Sequence, residues 1–189
     1  MKLASTTARR AAAVAAAAIA GLAISTAAYA ATSSSAPAAA IPRCTASDLG
    51  VWVALDQGNG AAGTIYYPLE FTNLSNHTCY LFGYPGVSAL DGDGNQLGSP
   101  AGWGSLAGAR LVNVAPGATA HTILGFHDAV VSTESGCDPV SSAAVLRVYP
   151  PGQCSSTDAG FPLEACSHRG PVYLSIIEPI IPGVGTIYG

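Results

Sequence analysis

The segment that most constrains the fold of this chain is residues 63–94, GTIYYPLEFTNLSNHTCYLFGYPGVSALDGDG. This short span holds an alternating apolar pattern, a polar turn, a cysteine, a Tyr-Pro-Gly bend and a glycine-rich turn. Alternation with a period of two is typical of a half-buried β-strand, and Asp-Gly pairs between apolar runs are typical of hairpins. The segment therefore predicts consecutive strands of a β-sandwich that is stapled by a disulfide.

Strand patterns dominate the rest of the chain as well, and no window has a convincing helical period. Further short strands are predicted near residues 49–55, 111–114, 120–126, 143–149 and 172–176. Turn residues separate these runs, so we expect seven or eight strands in all. This pattern favours an all-β fold, and specifically an Ig-like antiparallel β-sandwich.

Two places do not fit a plain strand-and-turn pattern. Pro68 interrupts an apolar strand, and because proline cannot donate to a ladder, we expect a sheet edge or a bulge there. Residues 150–171 form the longest stretch without clear strand character. Since Cys154 and Cys166 lie within it, this stretch is predicted to be a long loop pinned by a disulfide.

Residues 1–30 match the pattern of a secretory signal peptide. An apolar run too short to span a membrane lies between basic residues and a small-x-small cleavage motif. The basic residues are Lys2, Arg9 and Arg10, the apolar run is residues 11–25, and the motif is Ala28-Tyr29-Ala30. The Arg9-Arg10 pair has no further twin-arginine features around it, so general secretion is favoured.

Beyond the signal peptide we expect a flexible Ala/Ser/Pro-rich lead-in at residues 31–42 and a single β-sandwich domain at residues 43–189. The first cysteine, Cys44, lies too far from the cleavage site for a lipid anchor. No second apolar span follows, so we expect a secreted, extracellular protein without a membrane span.

Removal of the signal peptide leaves an acidic protein. Four arginines and no lysine remain against eleven acidic residues, which gives a net charge of −7. Such a surface repels nucleic acid and anionic lipid, so neither is an expected partner.

Five cysteines in an exported chain imply two disulfides and one cysteine left over, for which fifteen arrangements exist. Spacing favours Cys44 with Cys79 and Cys137 with Cys166. Cys154 is then unpaired, and it is either a reactive or intermolecular thiol or a shielded, incidental one.

Several motifs together resemble one family. They are Cys44, AAG at residues 61–63, LEFTN at 69–73, CYLFGYPGVSALDGDG at 79–94, VAPG at 114–117, Cys137, LRVYPPG at 146–152 and Cys166. This combination is similar to the actinobacterial exported family known as a domain of unknown function (DUF 4232), over about residues 44–182. The resemblance implies an Ig-like β-sandwich, export and the same two disulfides, with Cys154 outside the family pattern. It implies no catalytic residue.

Sites for metals or catalysis are not predicted. The sequence DGDGN at residues 91–95 begins like a calcium loop, but Gln96 and Gly102 stand where an EF-hand needs glycine and glutamate. The four histidines are scattered and are expected in exposed loops, and no GxSxG motif supplies a positioned serine. We therefore expect no cofactor, no metal and no catalytic residue.

Aromatic residues on loops are the better candidates for binding. Trp103 lies between two glycines, and Tyr84 precedes Pro85-Gly86 on a bend. Aromatic side chains in such positions are frequent anchors for protein or sugar ligands. The alternatives are that Tyr84 packs into a corner of the sandwich and that Trp103 covers a sheet edge.

These observations favour a monomeric, non-catalytic binding module in the extracellular space or the cell envelope. Its partner would be a protein or a cell-envelope glycan. The alternatives are a small secreted hydrolase and a purely structural extracellular protein.

Overall fold

The computed structural model of the chain describes residues 40–104, 108–128, 137, 139–170 and 172–187. The predicted signal peptide and most of the lead-in lie outside these residues. The described part contains two short 3-10 turns, Ala46–Asp48 and Leu55–Gln57. Its thirteen strands are β1 (Leu49–Val53), β2 (Asn59–Ala61), β3 (Thr64–Asn73), β4 (Cys79–Leu81), β5 (Gly86–Leu90), β6 (Gln96–Leu97), β7 (Gly102–Trp103), β8 (Val112–Val114), β9 (Thr119–Phe126), β10 (Pro139–Tyr149), β11 (Thr157–Cys166), β12 (Leu174–Ile176) and β13 (Ile181–Pro182).

These strands form two larger sheets and one ribbon. The first sheet has seven strands in the order β1-β3-β9-β12-β7, with β2 added to β3 and β13 added to β9. The second sheet has the order β11-β10-β5-β6, and β4 pairs with β8 in a two-stranded ribbon. All pairings between these strands are antiparallel except that of β12 with β7.

The core lies between the two larger sheets. Phe161 on β11 contacts aromatic rings on two strands of the facing sheet: its centroid is 5.2 Å from that of Tyr67 on β3 and 6.4 Å from that of Phe126 on β9. Both pairs meet edge to face, the geometry that aromatic rings prefer. The predicted all-β class is confirmed, whereas the Ig-like arrangement stays a prediction. Several strands have only two or three residues, so their number exceeds the seven or eight expected.

Pro68, where the sequence predicts a sheet edge or a bulge, lies within the central strand β3. Pro68 lies between the segment paired with β1 and the segment paired with β2. Its carbonyl accepts a hydrogen bond from the amide of Ala54, so the nitrogen that lacks a proton points into the same gap. The strand therefore loses no ladder bond at the proline.

The prediction of a long loop at residues 150–171 is wrong, because the ten residues of β11 lie within it. Its inward side chains, Ala159, Phe161, Leu163 and Ala165, are buried, and the residues between them are exposed. Small alanines weaken this alternation, and Gly160 and Pro162 both suggest irregular structure in a sequence. Since β11 is the edge strand of its sheet, it tolerates the proline.

Two disulfides fasten the ends of the domain. Cys44 is bonded to Cys79 and Cys137 to Cys166, the two pairs that spacing favours. The chain-entropy model assigns each loop a stabilisation of roughly 3–4 kcal/mol. Cys154 is exposed and carries a free thiol. In the part of the chain that the structure describes, no helix is long and apolar enough to cross a membrane.

Candidate functional site

The most exposed large aromatic side chain among the described residues is Trp103, on the edge strand β7. Its exposed fraction is 63%. The indole Nε1 donates a hydrogen bond to the carbonyl of Pro85 at 2.9 Å, which satisfies its only polar group. The ring lies nearly parallel to that of Tyr84, with 12° between the planes and 6.1 Å between the centroids. The tryptophan is thus held on one side and open to solvent on the other.

The ring of Tyr84 is stacked against that of Trp103. Of the two aromatic residues predicted as ligand contacts, the structure leaves Trp103 exposed and buries Tyr84 in the core. Gly83, just before it, has a φ of +97°, a conformation that glycine adopts without strain. The Gly83 carbonyl also accepts a hydrogen bond from the amide of Ile180. The bend at residues 83–86 is therefore fixed to the segment between β12 and β13.

A close backbone approach holds Trp103 at the sheet edge. A Cβ on Gly104 would lie 2.5 Å from the carbonyl oxygen of Ile177, so only glycine fits there. The Gly104 amide donates to the carbonyl of Ile176 at 2.9 Å, which continues the pairing of β7 with β12. Ile177 and Val172, which flank this edge, are both partly exposed apolar residues. Together with Trp103 they make the surroundings of β7 apolar.

The histidines differ from the prediction of four exposed loop residues. His77 and His168 are exposed, but His121 is buried within β9 and His127 is half-buried at its end. The Nδ1 of His121 is 2.7 Å from the carbonyl oxygen of Gly183. Both ring nitrogens of His127 are also hydrogen-bonded. The prediction is wrong for these two residues because segments distant in sequence cover them.

The DGDGN segment forms the turn between β5 and β6. The Asp91 carboxylate accepts hydrogen bonds from the amide and side chain of Asn95 and from the amide of Asp93. These bonds, those of Asn95 first, lower the pKa of Asp91. Its oxygens are thus engaged in closing the turn. Among the described residues, no group of three or more His, Cys, Asp or Glu side chains is placed to hold a metal ion.

Glu70 on β3 has a fully buried carboxylate that the sequence does not indicate. Its Oε1 accepts a hydrogen bond from the amide of Gly185 at 2.8 Å, while Oε2 has no hydrogen-bond partner among the described residues. Burial raises the pKa of this carboxyl. The alternation of β3 places Glu70 on the outer face of its sheet, so only the C-terminal segment that covers it could have revealed its burial.

Comparison with known proteins gives one match. Neither the curated proteins nor the solved structures include a match to this chain. A model of a domain of unknown function (DUF4232) matches residues 44–171, more than half of the chain. The match covers the bend at Tyr84, the edge strand with Trp103 and all five cysteines. This chain therefore belongs to the family of the domain of unknown function DUF4232.

Proposed function

We propose that this protein is a secreted, non-catalytic binding module that holds a protein or a glycan of the cell envelope against Trp103. The observation that carries the proposal is the supported, solvent-facing indole at the edge of the seven-stranded sheet. Its N–H is already bonded and Tyr84 lies beneath it, so ligand binding requires little loss of side-chain freedom. An aromatic ring that is rigid before binding and loses its water on binding is a typical anchor in protein and sugar recognition.

Secretion is supported by two independent features. The N-terminal sequence has the pattern of a signal peptide. Two disulfides persist only where the surroundings are oxidising, which is typical of extracellular proteins. The expected monomeric state is part of the same proposal.

The chain offers a direct test because it contains only two tryptophans. Trp52, on β1, is 45% exposed and serves as a matched control. A Trp52→Phe variant reports fluorescence from Trp103 alone, and a Trp103→Phe variant reports from Trp52 alone. Both would be titrated with isolated cell-wall glycan and with fractionated envelope proteins.

We expect the emission of the Trp103-only variant to shift to shorter wavelength with one of these fractions, because a ligand excludes water from the indole. The Trp52-only variant should not respond. A pull-down with the wild type should recover the same ligand, and Trp103→Ala should lose it. Equal responses from both single-tryptophan variants, or recovery that survives Trp103→Ala, would refute the proposed site.

A further inference from the structure

The outer face of the seven-stranded sheet brings a serine, a histidine and a threonine from three strands into one hydrogen-bonded row. Nε2 of His127 is 2.9 Å from Oγ of Ser175 on β12. Nδ1 of the same ring is 2.9 Å from Oγ1 of Thr64, the first residue of β3. A hydroxyl in contact with one nitrogen of an imidazole, whose other nitrogen is held by a third residue, is the arrangement found around activated serines.

The backbone keeps this row in place. The amide of His127 donates to the carbonyl of Tyr173 at 2.8 Å, so the pairing of β9 with the β12 segment extends to the histidine. Ser175 is in register with Gly125 on β9, which in turn is in register with Tyr66 on β3. Thr64 and Ser175 thus extend from strands and His127 from the residue directly after β9, which favours fixed geometry.

Glycine occupies both positions beside the serine. Ser175 is flanked by Gly125 on β9 and by Gly102 on β7. A Cβ on Gly125 would lie 2.7 Å from the Ser175 Oγ, so any larger residue there would push the hydroxyl away from its present place. Ser175 and His127 are both partly exposed to solvent.

The histidine is in the protonation state that a base requires. Partial burial lowers the pKa of His127 from its ordinary value, so the ring is neutral at pH 7. In the tautomer that carries its proton on Nδ1, the ring donates a hydrogen bond to Thr64 Oγ1, and Nε2 accepts one from the Ser175 hydroxyl. The buried Thr64 hydroxyl takes the place that a carboxylate has in the strongest serine nucleophiles, so the base is weaker here.

We propose that Ser175 is a nucleophile that takes acyl or phosphonyl groups from small reactive esters, with His127 as its general base and Thr64 as a positioning residue. A bond forms between Ser175 Oγ and the acyl carbon while the hydroxyl proton moves to Nε2 of His127. The ester C–O bond then breaks, and the leaving alkoxide takes that proton. The step ends with the acyl-serine and the released alcohol.

This reactivity goes beyond the binding role, and as a stoichiometric modification of one side chain it is compatible with a binding module. The reactivity of Ser175 does not depend on Trp103, which lies on the other face of the sheet. The two proposals can therefore fail separately, because one is measured by ligand recovery and Trp103 fluorescence and the other by covalent labelling of Ser175.

The test is labelling of the purified chain with a fluorophosphonate probe, followed by intact mass and peptide mapping. We expect one adduct on Ser175, with fluoride leaving and the hydroxyl proton lost. Ser175→Ala should abolish it. The matched control is Ser99→Ala, because Ser99 is also half-buried but contacts only the backbone of Gly170. That variant should label at the wild-type rate.

Two further variants separate base catalysis from structure. His127→Gln retains an amide that can contact Ser175 but cannot accept its proton, and we expect labelling at least about 100-fold slower. Thr64→Val should slow labelling as well, while Thr64→Ser should restore it because the hydroxyl returns. Melting temperatures would show that each variant is folded. Equal labelling of wild type and Ser175→Ala, or His127→Gln at the wild-type rate, would overturn the proposal.

Discussion

The two faces of the seven-stranded sheet are built from the same strands but differ in what they bury. The inner face is apolar: Leu69 and Phe71 on β3 alternate into the core and meet the second sheet. The outer face carries Glu70 between them, together with His121 and the Ser175–His127–Thr64 row. The inner face therefore packs into the core, while the polar side chains lie on the outer face.

The outer face is polar but partly shielded from solvent, because the C-terminal segment folds over it. Gly185 and Gly183 supply the backbone groups that contact Glu70 and His121. A Cβ on Gly185 would lie 2.6 Å from the His121 ring, so the segment approaches the sheet as closely as a backbone can. Glu70 and His121 are therefore buried, although they lie on the outer face of the sheet.

The largest expected effect is on the inner face. Phe161→Ala removes a ring that packs against Tyr67 and Phe126, and it leaves a cavity between the sheets. We expect the free energy of unfolding to fall by about 3–5 kcal/mol. Chemical denaturation would measure it. Glu164→Ala, an exposed position on the same strand, should change stability by less than about 0.5 kcal/mol. Similar losses in the two variants would contradict the assignment of the core.

A smaller loss of stability is expected at the edge strand β7. Gly104→Ala would place a Cβ 2.5 Å from the carbonyl oxygen of Ile177 and force β7 away from β12. We expect a destabilisation of about 1–3 kcal/mol and a change in Trp103 emission, measured in the Trp52→Phe background.

Gly160→Ala is the matched control for that change. Gly160 is also a strand glycine at a sheet edge, but no heavy atom lies within 4 Å of its Cβ position. Alanine there should leave stability unchanged or raise it by up to about 1 kcal/mol, since it restricts the unfolded chain. If both glycine variants behave alike, the close approach at β7 is not what holds the strand.

On the outer face a substitution should increase stability. Folding raises the pKa of Glu70, so its stabilising contribution is complete below the ordinary glutamate pKa and is lost as the pH rises through the raised value. Glu70→Gln removes the buried charge and should raise the free energy of unfolding by about 1 kcal/mol at neutral pH, because a neutral amide costs less to bury than a carboxylate. Melting curves between about pH 4 and pH 8 would show the advantage growing with pH. Parallel curves for variant and wild type would show that Glu70 is not buried as a charge.

The smallest effect on stability is expected for the unpaired cysteine. Cys154 is exposed and unbonded, so Cys154→Ser should change the free energy of unfolding by less than about 0.5 kcal/mol. Thiol titration of the denatured, unreduced chain should find one thiol in the wild type and none in the variant. Two or more thiols in the wild type would contradict the disulfide pairs.

Local patterns predicted much of the fold. The apolar alternation of residues 64–73 marked β3, the DGDGN segment marked the hairpin between β5 and β6, and spacing favoured the two observed disulfides. The strand and the hairpin depend on neighbours in the chain, and the disulfides were inferred from the number and spacing of the cysteines. The prediction missed β11 because its inward positions include small alanines and its outward positions include glycine and proline, which weaken the alternation.

The outer face could not be predicted in the same way, because its contacts join distant segments. Glu70 is bonded to a residue 115 positions later, and His127 joins hydroxyls 63 positions before it and 48 after it. A glutamate in an alternating strand normally faces solvent. The exposed Trp103 was easier to identify, since its flanking glycines offer no local packing partner, but its stack on Tyr84 again required the fold.

The two disulfides also determine how the chain responds to mechanical force, which matters for any protein held to a surface in flow. They span 35 and 29 residues of sequence. Those residues cannot lengthen when the ends are pulled, which removes about 220 Å from the reach of the stretched chain. Even after its sheets separate, the domain would keep both loops closed, so its strands would stay near their partners and could fold again once the tension falls.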